Sequence, residues 1–196
     1  MTRRILIIVG HPDPAPERLA RALAQAYADG AAAAGHEVRR IDLARLDVPL
    51  LHTRAEFETG QPPVALAHAA DDLLWAEHIV FVFPLWLGTM PALLKAFLEQ
   101  MIRPGVAFAF PESGRTVARP LLRGRSARLV VTMGMPALLY RIWFLSHGTA
   151  GLRRSILGFA GIRPVRETLI GLVEGASGAK RAKWLARLRD LGTRAA

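Results

Sequence analysis

A tryptophan stands where regular structure breaks. In HIVFVFPLWLGTMPALLKAFLEQ, residues 78–100, an apolar run ends at Pro84, Trp86 follows, and a helical pattern resumes at Pro91. A tryptophan so placed either plugs the end of a core or forms a wall for something flat. A second chemical feature is GHPDPAP, residues 10–16, which leads from an apolar run straight into a helical pattern. The free N–H groups at a helix start, with the positive end of its dipole, favour an anion such as a phosphate. Pro16 suits a helix start, and Arg18 in the first turn can point at the same anion.

The stronger catalytic signatures are missing. The chain has no cysteine, which removes disulfides, thiolate catalysis and Cys-ligated metal. The first loop is not G-x-G-x-x-G, no G-x-x-x-x-G-K-[ST] occurs, and no G-x-S-x-G elbow follows a strand. His68, His78 and their carboxylate neighbours lack the spacing of a metal site, and His68 reads as a helix-surface residue. What remains are loops without a strong nucleophile but with apolar walls and backbone hydrogen-bonding capacity. Such loops suit a bound cofactor that carries its own chemistry.

Those loops have to be positioned by regular elements. RRILIIVG (3–10), IVFVFP (79–84) and ARLVVTMG (127–134) are continuous apolar runs, the pattern of strands covered on both faces. HEVRRIDL (36–43) alternates and so lies nearer an edge, and VRETLIGLV (165–173) is a last strand. Helical spacing appears over 17–35, 64–78, 91–102, 148–161 and 178–192, with Pro91 at a first helical position. Five strands alternating with helices predict a doubly wound parallel α/β sheet in the order 2-1-3-4-5. Ligands of such sheets sit beyond the carboxyl ends of the strands, at the switch between strands 1 and 3. The expected site is therefore built from loops 10–16, 84–90 and 132–140. Two long connections, 51–63 and 105–125, flank the same edge.

The 196 residues, 52% hydrophobic, are enough for one domain, 1–196, with a proper core. Lys and Arg number 26 against 16 Asp and Glu, a net charge of +10. These cations are dispersed, with no basic arm and no interleaved aromatics, which argues against a nucleic-acid partner. The apolar stretch Ile5–Val9 is too short for a signal-peptide core, and no run reaches membrane-spanning length. The expectation is a soluble, cytoplasmic protein.

Four stretches carry a resemblance. GHPDPAPERLARAL, FPLWLGTMPALLKAFLEQMIRPGVAFAF, LLRGRSARLVVTMG and LLYRIWFLSHG resemble, in the same order, the NAD(P)H:quinone oxidoreductases of the flavodoxin-like superfamily. That group includes bacterial quinone reductases, modulator-of-drug-activity proteins and ancillary flavoproteins of potassium efflux systems. The resemblance runs from residue 4 to about 173 and is most specific over Pro84–Lys95. It implies a flavodoxin-like fold, bound FMN (or FAD) and NAD(P)H as co-substrate. It also implies a quinone-type acceptor and a homodimer. By resemblance, His11 and the turn through Pro16, Glu17 and Arg18 fall at the flavin phosphate and ribityl site. Pro84, Leu85, Trp86, Leu87 and Gly88 fall along the isoalloxazine edge, and Thr132, Met133, Gly134 and Met135 form the second wall. Tyr140 and His147 fall at the family's catalytic tyrosine and histidine, where a phenol and an imidazole would stabilise charge on the reduced flavin.

The resemblance has gaps. Pro16 and Glu17 stand where relatives usually carry a phosphate-binding serine, Leu87 replaces an aromatic, and Pro136-Ala137-Leu138 replaces a glycine-rich stretch. Arg115, Arg119 and Arg123 are candidates for reading a 2′-phosphate. The reading is a hydride-transferring flavoenzyme. Its alternatives are a regulatory flavoprotein that binds a membrane transporter, and a basic binding protein with a degenerate flavin site.

Overall fold

The computed structural model describes residues 1–59, 61–110 and 118–196. In chain order the first elements are β1 (Arg4–Val9), α1 (Leu19–Ala33), β2 (Glu37–Asp42), α2 (Arg54–Thr59), α3 (Ala67–Trp75), β3 (His78–Pro84) and α4 (Ala92–Met101). They are followed by β4 (Phe108–Ala109), β5 (Arg119–Pro120), β6 (Ser126–Thr132), α5 (Ala137–Ile142), α6 (His147–Gly151), β7 (Val165–Ile170) and α7 (Gly178–Thr193).

Five parallel strands form one sheet in the order β2-β1-β3-β6-β7, and β4 and β5 make a separate two-residue antiparallel pair. Without that pair, the order is the expected 2-1-3-4-5. The continuous apolar runs have a direct physical cause. In β1, Leu6 and Ile8 enter one core cluster while Ile5, Ile7 and Val9 enter the other. β3 splits likewise, with Ile79, Phe81 and Phe83 on one face and Val80 and Val82 on the other. A strand buried on both faces reads as a near-continuous apolar run. Helices α3 and α4 supply Leu73, Leu94, Phe97 and Met101 to the first cluster, and α1 and α7 supply Leu23, Tyr27 and Leu188 to the second.

Several boundaries differ from the sequence reading. The helix expected over 64–78 ends at Trp75, because Ala76 turns extended and the Glu77 N–H joins the sheet through the Arg4 carbonyl. His78 thereby becomes the first residue of β3. Pro91 caps α4 from outside it, with φ −58° and ψ 148°. Pro16 and Glu17 form a turn ahead of α1, which begins at Leu19. The last strand stops at Ile170, where Gly171 lies so close to Met135 and Ala137 that a Cβ would sit 2.4 Å from the Ala137 nitrogen. The helix expected over 148–161 is α6 continued by a π-helical stretch, Leu152–Leu157.

His78 is 2% exposed, stacks on Tyr27 with ring centroids 6.3 Å apart, and shares a 2.8 Å hydrogen bond through Nδ1 with Ser126 Oγ. Burial, reinforced by Arg128 and other nearby arginines, pushes its pKa down to about 3. The folded protein holds the imidazole neutral, whereas the unfolded chain protonates it near 6.5. The stability this provides is complete above pH 6.5 and is lost as pH falls towards 3, by about 1.4 kcal/mol per unit. Urea denaturation at pH 7, 6 and 5 is expected to show that slope. A His78→Gln variant should lack this part of it, and equal slopes in the two proteins would refute the assignment.

Candidate functional site

The first loop is shaped by its own hydrogen bonds. The Asp13 N–H donates to His11 Nδ1 at 3.1 Å, and the Ala15 N–H donates to Asp13 Oδ1 at 2.8 Å. Arg18 Nε donates to Asp13 Oδ2 at 2.6 Å, and Arg21 Nη2 donates to the Asp13 carbonyl at 2.9 Å. Arg21 also pairs with Asp42, which ties this loop to the end of β2. The Ala15 N–H bond, followed by Arg18, holds the Asp13 carboxyl below its ordinary pKa. Burial lowers that of His11. His11 is therefore neutral near pH 7, and because Nδ1 accepts, its proton sits on Nε2 as a donor.

The second loop is a tight turn. Trp86 and Thr89 exchange N–H···O bonds of 2.9 and 3.0 Å, with Leu87 at φ 49° and Gly88 at φ 80°. Glycine adopts this conformation freely, whereas leucine gives up about 1 kcal/mol there. The turn is held from behind. Tyr140, 1% exposed, donates its hydroxyl to the Gly88 carbonyl at 3.1 Å and accepts the Thr149 N–H at 3.1 Å. Gly148 lets α6 approach so closely that a Cβ there would lie 2.1 Å from the Gly88 oxygen.

The third loop continues β6. The Thr132 carbonyl accepts the Leu85 N–H at 2.7 Å, joining loops two and three. The Met133 N–H donates to the Ile170 carbonyl at 2.9 Å, and the Met135 carbonyl accepts the Leu172 N–H at 3.2 Å.

These loops enclose a cleft of about 470 Å³ at the carboxyl end of β1, β3 and β6. Of the residues read from the sequence, His11, Glu17, Arg18, Pro84, Leu85, Trp86, Thr132, Met133 and Gly134 line it. Trp86 is 48% exposed, belongs to neither core cluster, and meets the His11 ring edge-on at 6.2 Å. Leu87 and Gly88 stand at the tip of the turn, and Met135, within the third loop, packs against the first core cluster instead of lining the cleft. Pro16 faces a separate groove with Arg21, Arg40 and Arg45. Tyr140 lies beneath the turn with its hydroxyl committed on both sides. His147 is exposed at the first position of α6. Arg115 lies outside the described residues, and neither Arg119 nor Arg123 lines the cleft.

The structure adds residues that the sequence reading omitted. Leu19 and Ala20 line the cleft at the start of α1, whose N-terminus has no side-chain cap. Their N–H groups belong to the helix's unpaired first turn. Val173, Glu174 and Arg181 close the opposite side, with Glu174 packed against Gly134. Among the described residues Arg181 makes no ion pair, while Arg18 is already engaged by Asp13. An apolar wall with a helix N-terminus and an unengaged guanidinium beside it fits a flat ring that carries a phosphate. Glu17 and Glu174 set negative charge at its rim.

The Flavodoxin_2 family, described as a flavodoxin-like fold, matches residues 3–191. An FMN-dependent NADH:quinone oxidoreductase of Macrococcus caseolyticus is 28% identical over 187 residues, covering 85% of this chain and 86% of that protein. A ribosyldihydronicotinamide dehydrogenase-like protein of Penicillium crustosum is 29% identical over 156 residues, or 67% of this chain; the match spans 57% of the fungal protein's length. The solved NAD(P)H:quinone oxidoreductase of Methanothermobacter marburgensis superposes with a TM-score of 0.77 at 21% identity, covering 99% of this chain and 97% of that one.

Proposed function

This chain belongs to the Flavodoxin_2 family, and from that premise we propose a flavin-dependent NAD(P)H oxidoreductase that reduces quinone-type acceptors by two electrons. The observation that carries the reading is the cleft, which joins a half-exposed tryptophan wall to an uncapped helix start and Arg181. The relatives named for FMN and NADH support FMN as the cofactor and NADH as the co-substrate.

When bound, the flavin supplies hydride acceptance from a reduced nicotinamide and hydride donation to a quinone. The chain's own residues prepare the place. The N–H groups of Leu19 and Ala20, with Arg181, would hold the flavin's phosphate. Leu85, Trp86, Met133 and Val173 would wall its ring and exclude water from it. Neutral His11 keeps an Nε2–H donor beside Trp86. Tyr140 fixes the height of the Trp86–Thr89 turn, and His147 stays exposed at the first position of α6.

A band of exposed apolar residues, Leu138, Ile142, Trp143, Phe144 and Leu145, lies behind the turn that carries Leu87. A second copy of the chain is the occupant this reading assigns to it, and sedimentation equilibrium reading a monomer would remove that assignment.

The protein, incubated with excess FMN and desalted, is expected to retain flavin absorbance and to oxidise NADH with menadione. Arg181→Ala should weaken FMN binding about tenfold, the size of one charge-assisted hydrogen bond. A colourless protein would sink the enzyme reading and leave a degenerate site. Retained flavin without turnover would favour a regulatory flavoprotein.

A further inference from the structure

At the opposite end of the sheet, the residues that precede the strands enclose a second cavity of about 500 Å³. Its lining includes Arg3 ahead of β1, His78 and Ser126 at the starts of β3 and β6, Arg163 and Arg166 around the start of β7, and Arg194 after α7. Glu77 is the one acidic side chain on that lining, and it is engaged by Arg4, whose backbone N–H donates to it at 3.0 Å. Arg194 pairs with Asp190. Among the described residues, Arg3, Arg163 and Arg166 make no ion pair.

His78 supplies an independent observation. It is 2% exposed and Ser126 holds its Nδ1, yet its buried Nε2 has no partner. In the tautomer where Ser126 Oγ donates to Nδ1, the neutral ring carries its proton on Nε2, and that proton has no partner within the protein. A buried polar atom is normally paired, so an unmade bond of this kind is a cost that the fold carries unless a ligand makes it. The three arginines are donors, and Nε2 joins them in that tautomer. They also come from different directions: ahead of β1, from within β3, and from the chain on either side of the start of β7. A tetrahedral oxyanion presents acceptors in three dimensions and so takes donors arriving from several directions.

We propose that this cavity binds a phosphate-type dianion, held by the guanidinium groups of Arg3, Arg163 and Arg166 and by the Nε2–H of His78. The site is separate from the flavin cleft, and nothing in its argument depends on the proposed oxidoreductase activity. Ligands of the matching class are phosphate monoesters and inorganic pyrophosphate.

The test reads the imidazole signals of His78 by NMR while the intact protein is titrated with inorganic pyrophosphate at constant ionic strength. Because the readout sits at His78, binding in the flavin cleft does not register. A saturable shift is expected, weakened at least tenfold in Arg163→Ala/Arg166→Ala, whose exposed positions leave the core untouched, and unchanged in Arg54→Ala on α2. Absence of a saturable shift would overturn the proposal, as would an equal response to sodium chloride or an undiminished response in the double variant. Tighter binding of citrate than of pyrophosphate would overturn the phosphate assignment.

Discussion

Replacing Gly148 by alanine is expected to lower NADH:quinone turnover about a hundredfold in a protein that still folds. The added Cβ would lie 2.1 Å from the Gly88 oxygen and 2.7 Å from the Thr89 Cα. Both are backbone atoms, so no side-chain rotation relieves the contact, and α6 must draw back from the turn. That movement pulls on the Tyr140 hydroxyl, which bonds the Gly88 carbonyl on one side and the Thr149 N–H on the other. Trp86 heads the same turn, so the wall of the cleft shifts with it. Displacements of about 1 Å at a reacting centre cost on the order of a hundredfold in rate. Tyr140→Phe separates positioning from bulk. It keeps the ring but strands a buried N–H and a carbonyl, at about 1–3 kcal/mol of stability, and should move turnover in the same direction by a smaller factor. Steady-state kinetics beside melting temperatures decide the matter. Wild-type kinetics in Gly148→Ala would show that α6 does not set the turn, and a fall in melting temperature without a fall in rate would reduce Tyr140 to a packing residue.

The sequence was most informative where burial left no choice. Ile5–Val9 and Ile79–Phe83 read as strands because each alternate side chain enters a different core cluster, so the apolar run follows directly from the two-sided sheet. The position of Trp86 in a loop beyond a strand was equally legible, since two prolines and a glycine bracket it. Other features depend on distant parts of the chain. Arg181 reaches the cleft because α7 lies on the same face of the sheet as α1, and nothing in GAKRAKWLARLRDLG marks that lysine- and arginine-rich turn as facing a ligand. The double engagement of Tyr140 needs the Gly88 turn and the Thr149 N–H together, and local pattern places neither. The spacing of 64–78 places His78 at the end of a helix because Leu73, Leu74, Ala76 and Glu77 just before it favour helix. The extended Ala76 and the pairing of Glu77 with Arg4 override that preference.

The face that brings Arg181 to the cleft rests on two glycines, and Gly30→Ala is expected to cost about 3 kcal/mol. Propensity alone forecasts the opposite, because alanine is the better helix former by about 1 kcal/mol. The contact decides otherwise. A Cβ on Gly30 of α1 would sit 1.9 Å from the Arg189 carbonyl oxygen of α7, and one on Gly192 would sit 2.1 Å from the Tyr27 oxygen. The helices thus touch backbone to backbone, and either methyl group forces them apart, the costly form of overpacking. Gly30→Ala/Gly192→Ala should cost less than the sum of the single changes, because one separation of the helices relieves both clashes. The separation also reaches the site. Arg181 lies eight residues before Arg189, about 12 Å along the helix, and the start of α1 carries Leu19 and Ala20 on the other side of the same cleft. FMN affinity should therefore fall in Gly30→Ala although no residue lining the cleft has changed. Urea denaturation combined with an FMN titration separates the outcomes. Increased stability would mean that the helices are not in backbone contact, and lost stability with unchanged affinity would mean that α7 does not set the position of Arg181.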